Sequence, residues 1–547
     1  MRPSPARRRP GGHDHRHRAD ARRAEAGPAG VTPGQSVAEL VERRAQADPD
    51  GELIRRVGGP ALTAGALLER AVQFAGCLAS VVGPGGTVAT AVPSGPEAAA
   101  LTTAISWLGA VELPVPVGLD SALARTLARS AGCATTVAVP DRLDLEPHLL
   151  DLGHHPRRPL LTIAGRRAGV PGIDELTAAP APRRRPTLEE PTAVMITSGT
   201  GGRPKGALLP NGAAVGQAKR VRRAMAYQAD DVLLNVFPWQ HINARHAAFL
   251  PAVLSGARLV VDSFSARRFW HAAVEERVTA FNFMGSLCVM LLGQPASAAD
   301  RTHRVRQAYG GPAPTWLYQA VRDRFGVELR QAYACTELAD VAITGRQVRP
   351  GAAGPVVPEY ELRVVDDDGA PLADGNIGMV LVRPRRRWLT FTEYVGDPEA
   401  TRAAWRDGWF VTGDRGRLDN GWFHHEGRAD DVVRRRGVTI DAEHLERVAL
   451  SHVDVEEAAA VGVPSELTED EVLLVVVPRP GARPDPAAVR RHCAEHLPRH
   501  AVPRFVSVED TLPRTGSFKI VRRTLRERGL PPTAWDGDSP ATPQETP

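Results

Sequence analysis

Short apolar runs alternate with segments of helical periodicity along most of this chain. The runs typical of strands are Thr87–Pro93, Val111–Val117, Ala193–Thr197, Val232–Phe237, Arg258–Val261 and Thr279–Phe283. Segments that can be helical follow them, as Pro96–Leu108 does after the first. Strands that alternate with helices pack as α/β layers. The pattern therefore predicts an α/β fold, with one large layered α/β domain over residues 36–426.

The alternation restarts on a smaller scale after Gly427. Its segments are strand-like Ala458–Val463 and Val472–Val477, helical Pro486–Leu497 and strand-like Arg504–Val508. This order favours a separate, small α+β domain over residues 432–530.

The two ends of the chain differ in composition from the rest. Residues 1–35 carry eight arginines and five prolines and lack the apolar centre of a secretion signal. Residues 531–547 carry five prolines and few large apolar side chains. We predict a disordered tail at each end. A transit peptide, a nucleic-acid arm and a metal site at His13, His15 and His17 are the alternatives for the first segment.

Composition excludes several classes of protein. With 547 residues, 43% of them hydrophobic and 24% charged, the chain can bury more than one core. A net charge of +5 does not indicate a nucleic-acid partner, and the five cysteines are widely spaced, as in reduced thiols. No stretch is apolar for long enough to predict a membrane span. We expect a cytoplasmic protein.

Lysine is scarce in this chain. Lys205, Lys219 and Lys519 are its lysines among 68 basic residues, and the others are arginines. An ammonium group is a compact point charge, whereas a guanidinium is a broad planar fork. A lysine that persists in such a sequence therefore marks a position where arginine would not serve.

A loop rich in glycine and hydroxyl groups follows the apolar run Ala193–Thr197. It reads Thr197-Ser198-Gly199-Thr200-Gly201-Gly202-Arg203-Pro204-Lys205-Gly206. Glycines let backbone N–H groups approach an anion, the hydroxyls add donors, and the lysine adds charge. Gly206 stands where a Walker loop has Ser or Thr, and Pro204 stands where a dinucleotide fingerprint has its third glycine. The loop therefore predicts a phosphate site of another kind.

This loop resembles the phosphate-binding signature of the adenylate-forming superfamily, which includes acyl-CoA ligases, luciferases and adenylation domains of nonribosomal peptide synthetases. Further motifs of this AMP-dependent synthetase and ligase family follow in the family's order. They are Pro238–His241, Tyr309–Ala313, Tyr333–Glu337, Gly408–Asp414, Gly427–Asp431, Gly437 with Leu445-Glu446, and Pro513–Lys519. The resemblance covers about residues 36–530. It implies a large N-terminal AMP-binding domain and a mobile C-terminal domain joined by a hinge at residues 427–431.

The resemblance also implies the reaction. A carboxylate attacks the α-phosphate of ATP and expels pyrophosphate, and the acyl-adenylate then forms a thioester with coenzyme A. Attack of one anion on another requires charge neutralisation and positioning more than acid–base catalysis. Lys519 matches the family lysine that bridges the carboxylate and the α-phosphate. Thr336 is expected to donate to the α-phosphate, and Glu337 to help hold Mg²⁺.

Further positions match the family's nucleotide-binding residues. Asp414 matches the carboxylate that accepts both ribose hydroxyls, and Arg428 matches a nearby nucleotide-binding arginine. The expected adenine pocket comprises Gly310, Gly311, Pro312 and Tyr333, and the expected phosphate-binding residues are Thr197, Ser198, Gly199, Thr200 and Lys205. A turn aspartate, a surface arginine and a core tyrosine are the structural alternatives for Asp414, Arg428 and Tyr333.

Two positions carry the predicted second half of the reaction. Asp430 matches the family hinge, about which the small domain rotates between adenylation and thioester formation. Gly437 lies in the loop that would then face the site, and its missing side chain leaves room for the pantetheine arm of coenzyme A. The arginine run at residues 434–436 could meet phosphates of coenzyme A or form a solvated face.

The expected acyl pocket is polar. It comprises residues 241–246, 283–286 and 337–340, with His241, Arg245 and Gly285 as its key positions. A long fatty chain would leave Arg245 unpaired, at a large cost in free energy. We therefore expect a small polar, dicarboxylic or aromatic acid, unless Arg245 points to solvent.

The sequence thus predicts an ATP-dependent carboxylic acid–CoA ligase that uses ATP, Mg²⁺ and coenzyme A. Its partners are small molecules, with neither nucleic acid nor a membrane span expected. One alternative is transfer of the adenylate to a carrier protein, an amine or another nucleophile. A second is a nucleotide-binding regulatory protein with impaired catalysis, because Phe518 stands where the family commonly has glycine before the lysine. A basic nucleic-acid module has support only from the first tail.

Overall fold

The computed structural model describes residues 36–152, 160–176, 181, 183–197, 204–429, 432–435, 438–464, 470–515 and 520–538. In these ranges the fold is α/β with a smaller α+β part at its C-terminal end, as predicted.

The strands follow the apolar runs of the sequence. In chain order they are β1 Glu52–Arg56, β2 Leu62–Thr63, β3 Thr87–Ala91, β4 Val111–Pro114, β5 Cys133–Ala138, β6 Leu160–Thr162, β7 Pro191–Thr197, β8 Lys205–Pro210, β9 Val232–Asn235, β10 Arg258–Val261, β11 Ala280–Phe283, β12 Gln307–Gly310, β13 Glu328–Cys335, β14 Ala339–Ile343, β15 Gly354–Pro355, β16 Tyr360–Val365, β17 Gly378–Pro384, β18 Glu393–Tyr394, β19 Trp405–Arg406, β20 Trp409–Asp419, β21 Trp422–Arg428, β22 Val432–Arg435, β23 Val438–Asp441, β24 Val455–Pro464, β25 Asp470–Pro478, β26 Phe505–Val508 and β27 Trp535–Asp536.

The helices separate these strands for most of the chain. They are Val37–Ala47, Ala64–Leu78, Pro96–Trp107, Ser121–Ser130, Pro140–Leu145, His148–Leu152, Asn211–Met225, Ile242–Ala244, Leu250–Ser255, Phe269–Glu275, Gly285–Leu292, Ala299–Thr302, Thr315–Phe325, Pro398–Ala403, Ala442–Leu450, Pro486–His496 and Arg522–Arg528. Short 3₁₀ turns occur at Ile173–Glu175, Arg387–Leu389 and Arg499–Ala501, and a π-helical turn at Arg245–Phe249 joins two of the helices.

Two mainly parallel sheets form the framework of the large domain. One has seven strands in the order β18-β8-β7-β4-β3-β5-β6, and the other has eight in the order β14-β13-β12-β11-β9-β10-β1-β2. Antiparallel pairs occur at β18-β8 and β8-β7 of the first sheet and at both ends of the second. One apolar core contains side chains from both sheets and from the helices packed on them. Parallel sheets covered on both faces give near-continuous apolar strands, which explains the sequence pattern.

One helix shows how tightly this core is packed. Pro96–Trp107 is buried at every position from Ala98 to Ser106, including its threonines. Small side chains allow this close approach, and Thr102 accepts a hydrogen bond from the buried Trp239 indole at 2.9 Å.

A third sheet completes the large domain. Its strands follow the order β15-β21-β20-β17-β16, with β19 paired to β20, and neighbouring strands are antiparallel. Strand β21 continues to Arg428, two residues beyond the predicted domain end at residue 426. Asp414 and Arg428 face each other across β20 and β21.

The C-terminal part has its own sheets and its own core. A four-stranded sheet runs β24-β25-β26-β27, and β22 pairs with β23. Apolar clusters made only of side chains beyond residue 432 fill both faces of this sheet. Separate cores are the physical basis for separate domains.

The predicted start of the C-terminal tail at residue 531 is wrong. Strand β27 pairs with β26, and Trp535 packs on the core of the small domain. The Arg504 guanidinium donates to both carboxylate oxygens of Asp536, at 3.0 and 2.9 Å. Residues 531–538 are therefore part of the small domain's fold. No helix among the described residues is long and apolar enough to cross a membrane.

Candidate active site

Most of the predicted site residues that the structure describes converge on one cavity of about 1140 Å³. Those that line it are Thr197, Gly285, Gly311, Pro312, Tyr333, Thr336, Glu337, Asp414 and Arg428. Side chains of the small domain, including Arg447 and Arg514, complete the wall. The cavity is therefore bounded by both domains.

Thr336 and Glu337 occupy the tight connection between β13 and β14. The Glu337 carbonyl accepts hydrogen bonds from the Phe391 N–H and the Thr390 hydroxyl, both at 2.8 Å. The Tyr394 hydroxyl donates to the Glu337 carboxylate, also at 2.8 Å. Burial, and then the Glu337 charge, raise the pKa of Tyr394, so this phenol keeps its proton. The segment 390–394 thus fixes both the backbone and the carboxylate of Glu337.

Lys205 begins the strand that returns from the glycine-rich loop. Thr197 and Lys205 are paired residues of the β7-β8 hairpin, so the two ends of the loop lie side by side. The Lys205 ammonium lies 4.8 Å from the centre of the Tyr394 ring. This places Lys205 beside the Glu337 cluster, although it is not in the cavity wall. Ser198, Gly199 and Thr200 lie outside the described residues.

Asp414 is the centre of a second polar cluster. It is 3% exposed, and its carboxylate accepts from the Arg428 guanidinium at 2.9 Å and from the Tyr333 hydroxyl at 2.5 Å. The ring of His425 lies 3.7 Å from the same carboxylate. Burial by itself raises the pKa of Asp414, but His425, Arg428 and Tyr333 together lower it to about 2. The carboxylate is therefore charged at neutral pH and faces the cavity.

Glycines let two segments approach each other at the bottom of the cavity. A Cβ atom at Gly310 would overlap the Phe283 carbonyl, and one at Gly285 would lie 2.6 Å from the Pro312 carbonyl oxygen. The Ala313 N–H donates to the Gln331 side chain at 2.7 Å. A side chain at Gly285 would push the loop after β12 away from the helix Gly285–Leu292, and one at Gly310 would push β12 away from β11.

The expectation that Arg245 faces the bound acid is wrong. Arg245 is 4% exposed, and its guanidinium lies 2.5 Å from the carboxylate of Glu112, which is 2% exposed. The other oxygen of Glu112 accepts from the Thr90 hydroxyl at 2.8 Å. A buried guanidinium requires a partner, and here strand β4 supplies it. Neither side chain of the pair lines the cavity.

His241 and His246 are also outside the cavity wall. Burial lowers the pKa of His241. Burial, and then the neighbouring Arg245 charge, lower the pKa of His246 to about 3, so this ring is neutral at physiological pH. Of the three predicted acyl-pocket positions, Gly285 is the one that the structure places at the cavity.

Two protein-family models match this chain, and both describe AMP-binding enzymes. The family model described as AMP-binding enzyme matches residues 41–390, and that of the AMP-binding enzyme C-terminal domain matches residues 444–519. The first match covers more than half of the chain. The chain belongs to the AMP-binding enzyme family.

Relatives of this AMP-binding enzyme match it along most of its length. A sulfoacetate–CoA ligase of Cupriavidus necator is 30% identical over 504 residues, which cover 90% of this chain and 97% of the relative. The amide bond synthetase McbA of Marinactinospora thermotolerans has a TM-score of 0.77 at 26% identity, over 90% of this chain and 99% of that one. The anthranilate CoA ligase AuaEII has the same fold, with a TM-score of 0.82 at 20% identity. The match covers 91% of this chain and 98% of AuaEII. The family match and the sulfoacetate–CoA ligase relative place the chain among the AMP-forming acid–CoA ligases.

Like Ser198, Gly199 and Thr200, the predicted residues Lys519, Asp430 and Gly437 lie outside the residues that the structure describes. The structure does describe neighbours of Lys519 in the chain. Arg514 and Ile520 line the same cavity as Thr336 and Asp414, and they pair with each other as an isolated β-bridge. The chain on either side of Lys519 therefore lies at the cavity.

The sequence did not predict that Tyr394 and His425 belong to the site of this AMP-binding enzyme. Tyrosine is as informative here as lysine, because the chain has only 6. Tyr333 and Tyr394 hydrogen-bond to the two carboxylates of the site. Tyrosine is scarce in this chain, as lysine is, and this scarcity is a signal in the sequence that points to Tyr394. No comparable signal marks His425, one of 17 histidines.

Proposed function

We propose that this enzyme converts a compact polar, dicarboxylic or aromatic acid into its CoA thioester through an acyl-adenylate. In the first step a carboxylate oxygen attacks the α-phosphorus of ATP, the bond between the α- and β-phosphates breaks, and pyrophosphate leaves. In the second the CoA thiol loses its proton and attacks the acyl carbon, and AMP leaves with the bonding electrons. The observation that carries the proposal is the convergence of Thr336, Glu337, Asp414 and Arg428 on one cavity.

The nucleotide would lie across the two polar clusters of the cavity. Asp414 is charged and has lone pairs for both ribose hydroxyls beyond those used by Tyr333 and Arg428. The loop at Gly310, Gly311 and Pro312 would hold the adenine against Tyr333.

The phosphates would lie toward the Thr197–Lys205 hairpin. Thr336 lines the same cavity as Thr197 of this hairpin and Asp414. Lys205 adds positive charge, and Ser198, Gly199 and Thr200 in the loop would add donors to the phosphate oxygens.

The residues at Glu337 fit Mg²⁺, which prefers oxygen ligands. The Glu337 carboxylate lines the cavity, and the Tyr394 hydroxyl occupies one of its oxygens. The remaining oxygen could hold the ion, which would neutralise phosphate charge when bound. Tyr394 would then keep the carboxylate in one orientation.

Lys519, Asp430 and Gly437 carry the parts of the proposal that depend on domain movement. Lys519 would bridge the carboxylate and the α-phosphate, which is consistent with Arg514 and Ile520 in the cavity wall. Rotation about Asp430 would then exchange Lys519 for the loop at Gly437, past which the pantetheine arm of CoA would reach the adenylate.

A compact acid fits the acyl end of the cavity better than a long chain. Gly285 brings its helix within contact of the loop at Pro312, so the space between them is closed. Met284, Ser286 and Val289 supply a mixed polar and apolar wall. The relative from Cupriavidus necator bears the name of a small, doubly charged acid, sulfoacetate, and its match spans 90% of this chain.

A second candidate function is transfer of the acyl group to an amine or to a carrier protein. The likeness to the amide bond synthetase McbA favours the amine, because both chains are matched over at least 90% of their length. The first half-reaction is the same in all three cases, so the acceptor is what an experiment must distinguish.

Pyrophosphate release from ATP tests the proposal. We would screen acids of matched size that differ only in the distal group, each with CoA, with an amine and with no acceptor. Turnover that requires both acid and CoA, and that forms a thioester, supports the ligase. Product formation with the amine alone would replace it with amide synthesis. Absence of acid-dependent pyrophosphate release across the screen would favour the regulatory alternative.

A further inference from the structure

A group of histidine and glutamate side chains lies on the small domain and takes no part in the cavity. His492, Glu495 and His496 stand at positions i, i+3 and i+4 of the helix Pro486–His496, so they share one face. One possible ligand atom of each lies within 4.8 Å of the other two. Within the ranges that the structure describes, no other three metal-ligating side chains meet at this spacing.

Hydrogen bonds determine which ring nitrogen of His492 carries a proton. Its Nε2 lies 2.7 Å from the Ser451 hydroxyl oxygen and 3.1 Å from the Val448 carbonyl oxygen. The Ser451 hydroxyl donates its own proton to that carbonyl, at 2.6 Å. Both neighbours of Nε2 therefore accept, so Nε2 holds the proton and Nδ1 keeps a lone pair.

The same reasoning applies to His496. Its Nδ1 lies 2.9 Å from the carbonyl oxygen of His492, one helical turn earlier. A carbonyl oxygen can only accept, so Nδ1 carries the proton and Nε2 keeps the lone pair. A metal-binding histidine typically donates its other ring N–H to a carbonyl or carboxylate in this way, which fixes the ring. The two rings are 4.6 Å apart between their centres.

We propose that His492, Glu495 and His496 bind one Zn²⁺ ion, with water in the fourth position. Two imidazoles and a carboxylate suit Zn²⁺, whereas Mg²⁺ prefers oxygen ligands alone. The ring of His452 lies 5.4 Å from that of His492 but is a neighbour and not a ligand. Its Nδ1 accepts from the Asp454 N–H at 3.2 Å, which leaves the proton on Nε2.

The ion would bind to one helix, but one of its ligands also contacts a second element of the small domain. His492 is anchored to Val448, in the helix Ala442–Leu450, and to Ser451, which follows that helix. Binding would hold the His492 ring in place and so reinforce the contact between the two helices. Glu495 and His496 are exposed, so the ion can exchange with solvent.

Calorimetric titration of the full-length protein, without an added affinity tag and in excess Mg²⁺, tests the site with Zn²⁺ as the probe. His496→Asn removes a ligand that has no partner outside its own helix, and Glu495→Gln removes the carboxylate charge at nearly constant shape. His271→Asn changes an exposed histidine on a remote helix and serves as the matched control. A variant with His13, His15 and His17 all changed to Asn controls for binding at the start of the chain.

The wild type should bind one equivalent of Zn²⁺ with saturation. His496→Asn should weaken binding at least about tenfold, and Glu495→Gln should weaken it as well. Both controls should retain the wild-type affinity, and circular dichroism should show all variants folded. Wild-type affinity in His496→Asn, loss of all binding in the N-terminal variant, or no saturable binding by the wild type would each overturn the proposal.

Discussion

Replacement of Arg245 by methionine distinguishes a structural role for this residue from a role in substrate recognition. Its guanidinium is paired with Glu112 at 2.5 Å, and both side chains are almost fully buried. Methionine keeps the unbranched stem of the arginine side chain but removes the charged guanidinium. We expect the variant to lose stability and to lose activity equally toward polar and apolar acids, because the change leaves the cavity wall intact.

The expected magnitude follows from what the change leaves behind. In the variant, the Glu112 carboxylate would stay buried and keep its hydrogen bond from the Thr90 hydroxyl, but it would lose the guanidinium. Breaking a buried ion pair on one side costs about 3–5 kcal/mol. The double variant Arg245→Met, Glu112→Leu removes both charges, so its loss should be smaller than the sum of the single losses, by about 1–3 kcal/mol.

Urea unfolding of the two single variants and the double variant gives the coupling energy. Arg222→Met is the control, because this arginine is exposed on the helix Asn211–Met225 and should change stability by less than about 0.5 kcal/mol. In parallel, kcat/KM is measured for acids that differ only in the distal group. Wild-type stability in Arg245→Met, together with a tenfold selective loss for the polar acid, would refute the structural assignment.

Three further results are expected. Tyr394→Phe removes the hydrogen bond that orients Glu337 and should lower kcat/KM for adenylation about tenfold or more. The reason is that a hydrogen bond to a charged group contributes about 1.5–3 kcal/mol. An unchanged rate of pyrophosphate release would contradict this prediction. Gly285→Ala should raise KM for ATP, because the added methyl carbon would lie 2.6 Å from the Pro312 carbonyl oxygen, whereas Gly345→Ala meets open space and should resemble the wild type. Asp414 has a pKa of about 2 in the folded protein, against an ordinary value of 3.8. Its charged form therefore contributes about 2 kcal/mol to the free energy of unfolding above pH 4, and this contribution is lost as the pH falls toward 2. In Asp414→Asn, the free energy of unfolding should depend less on pH over that range.

The sequence carries most of the information about the layers of this fold. Buried parallel strands are continuous apolar runs, so Arg258–Val261 has the same bounds in the pattern and in the structure. The error at residue 531 has a different origin. Trp535 is a lone large apolar residue among prolines, and its burial depends on pairing with β26, about thirty residues earlier in the chain. Local composition cannot reveal such a partner.

The same limit applies inside the candidate site. The loop, the Thr336-Glu337 turn and Asp414 are local motifs, and the sequence predicts them together. The pair of Arg245 and Glu112 joins positions 133 residues apart. In the sequence, Arg245 is a charged residue that follows a predicted pocket motif, and no neighbouring residue suggests a partner for its charge. The bound acid is therefore the partner that the sequence suggests. A partner in the middle of an apolar strand gives no signal until the strand is placed in its sheet.

That placement gives the pair a meaning that neither residue has by itself. Glu112 lies on β4, which pairs with β7 through Glu112 and Ala193, and β7 ends at Thr197 where the glycine-rich loop begins. Arg245 also contacts the Met195 sulfur of β7, at 3.8 Å. One buried guanidinium thus joins the helical segment after His241 to β4 and to β7, the strand that leads into the glycine-rich loop. Separating these elements would leave a buried carboxylate without its partner, at a large cost in free energy, so the pair opposes their relative displacement. The residue that the sequence suggested as a contact for the acid is, in the structure, a link between the π-helical turn Arg245–Phe249 and the strands β4 and β7.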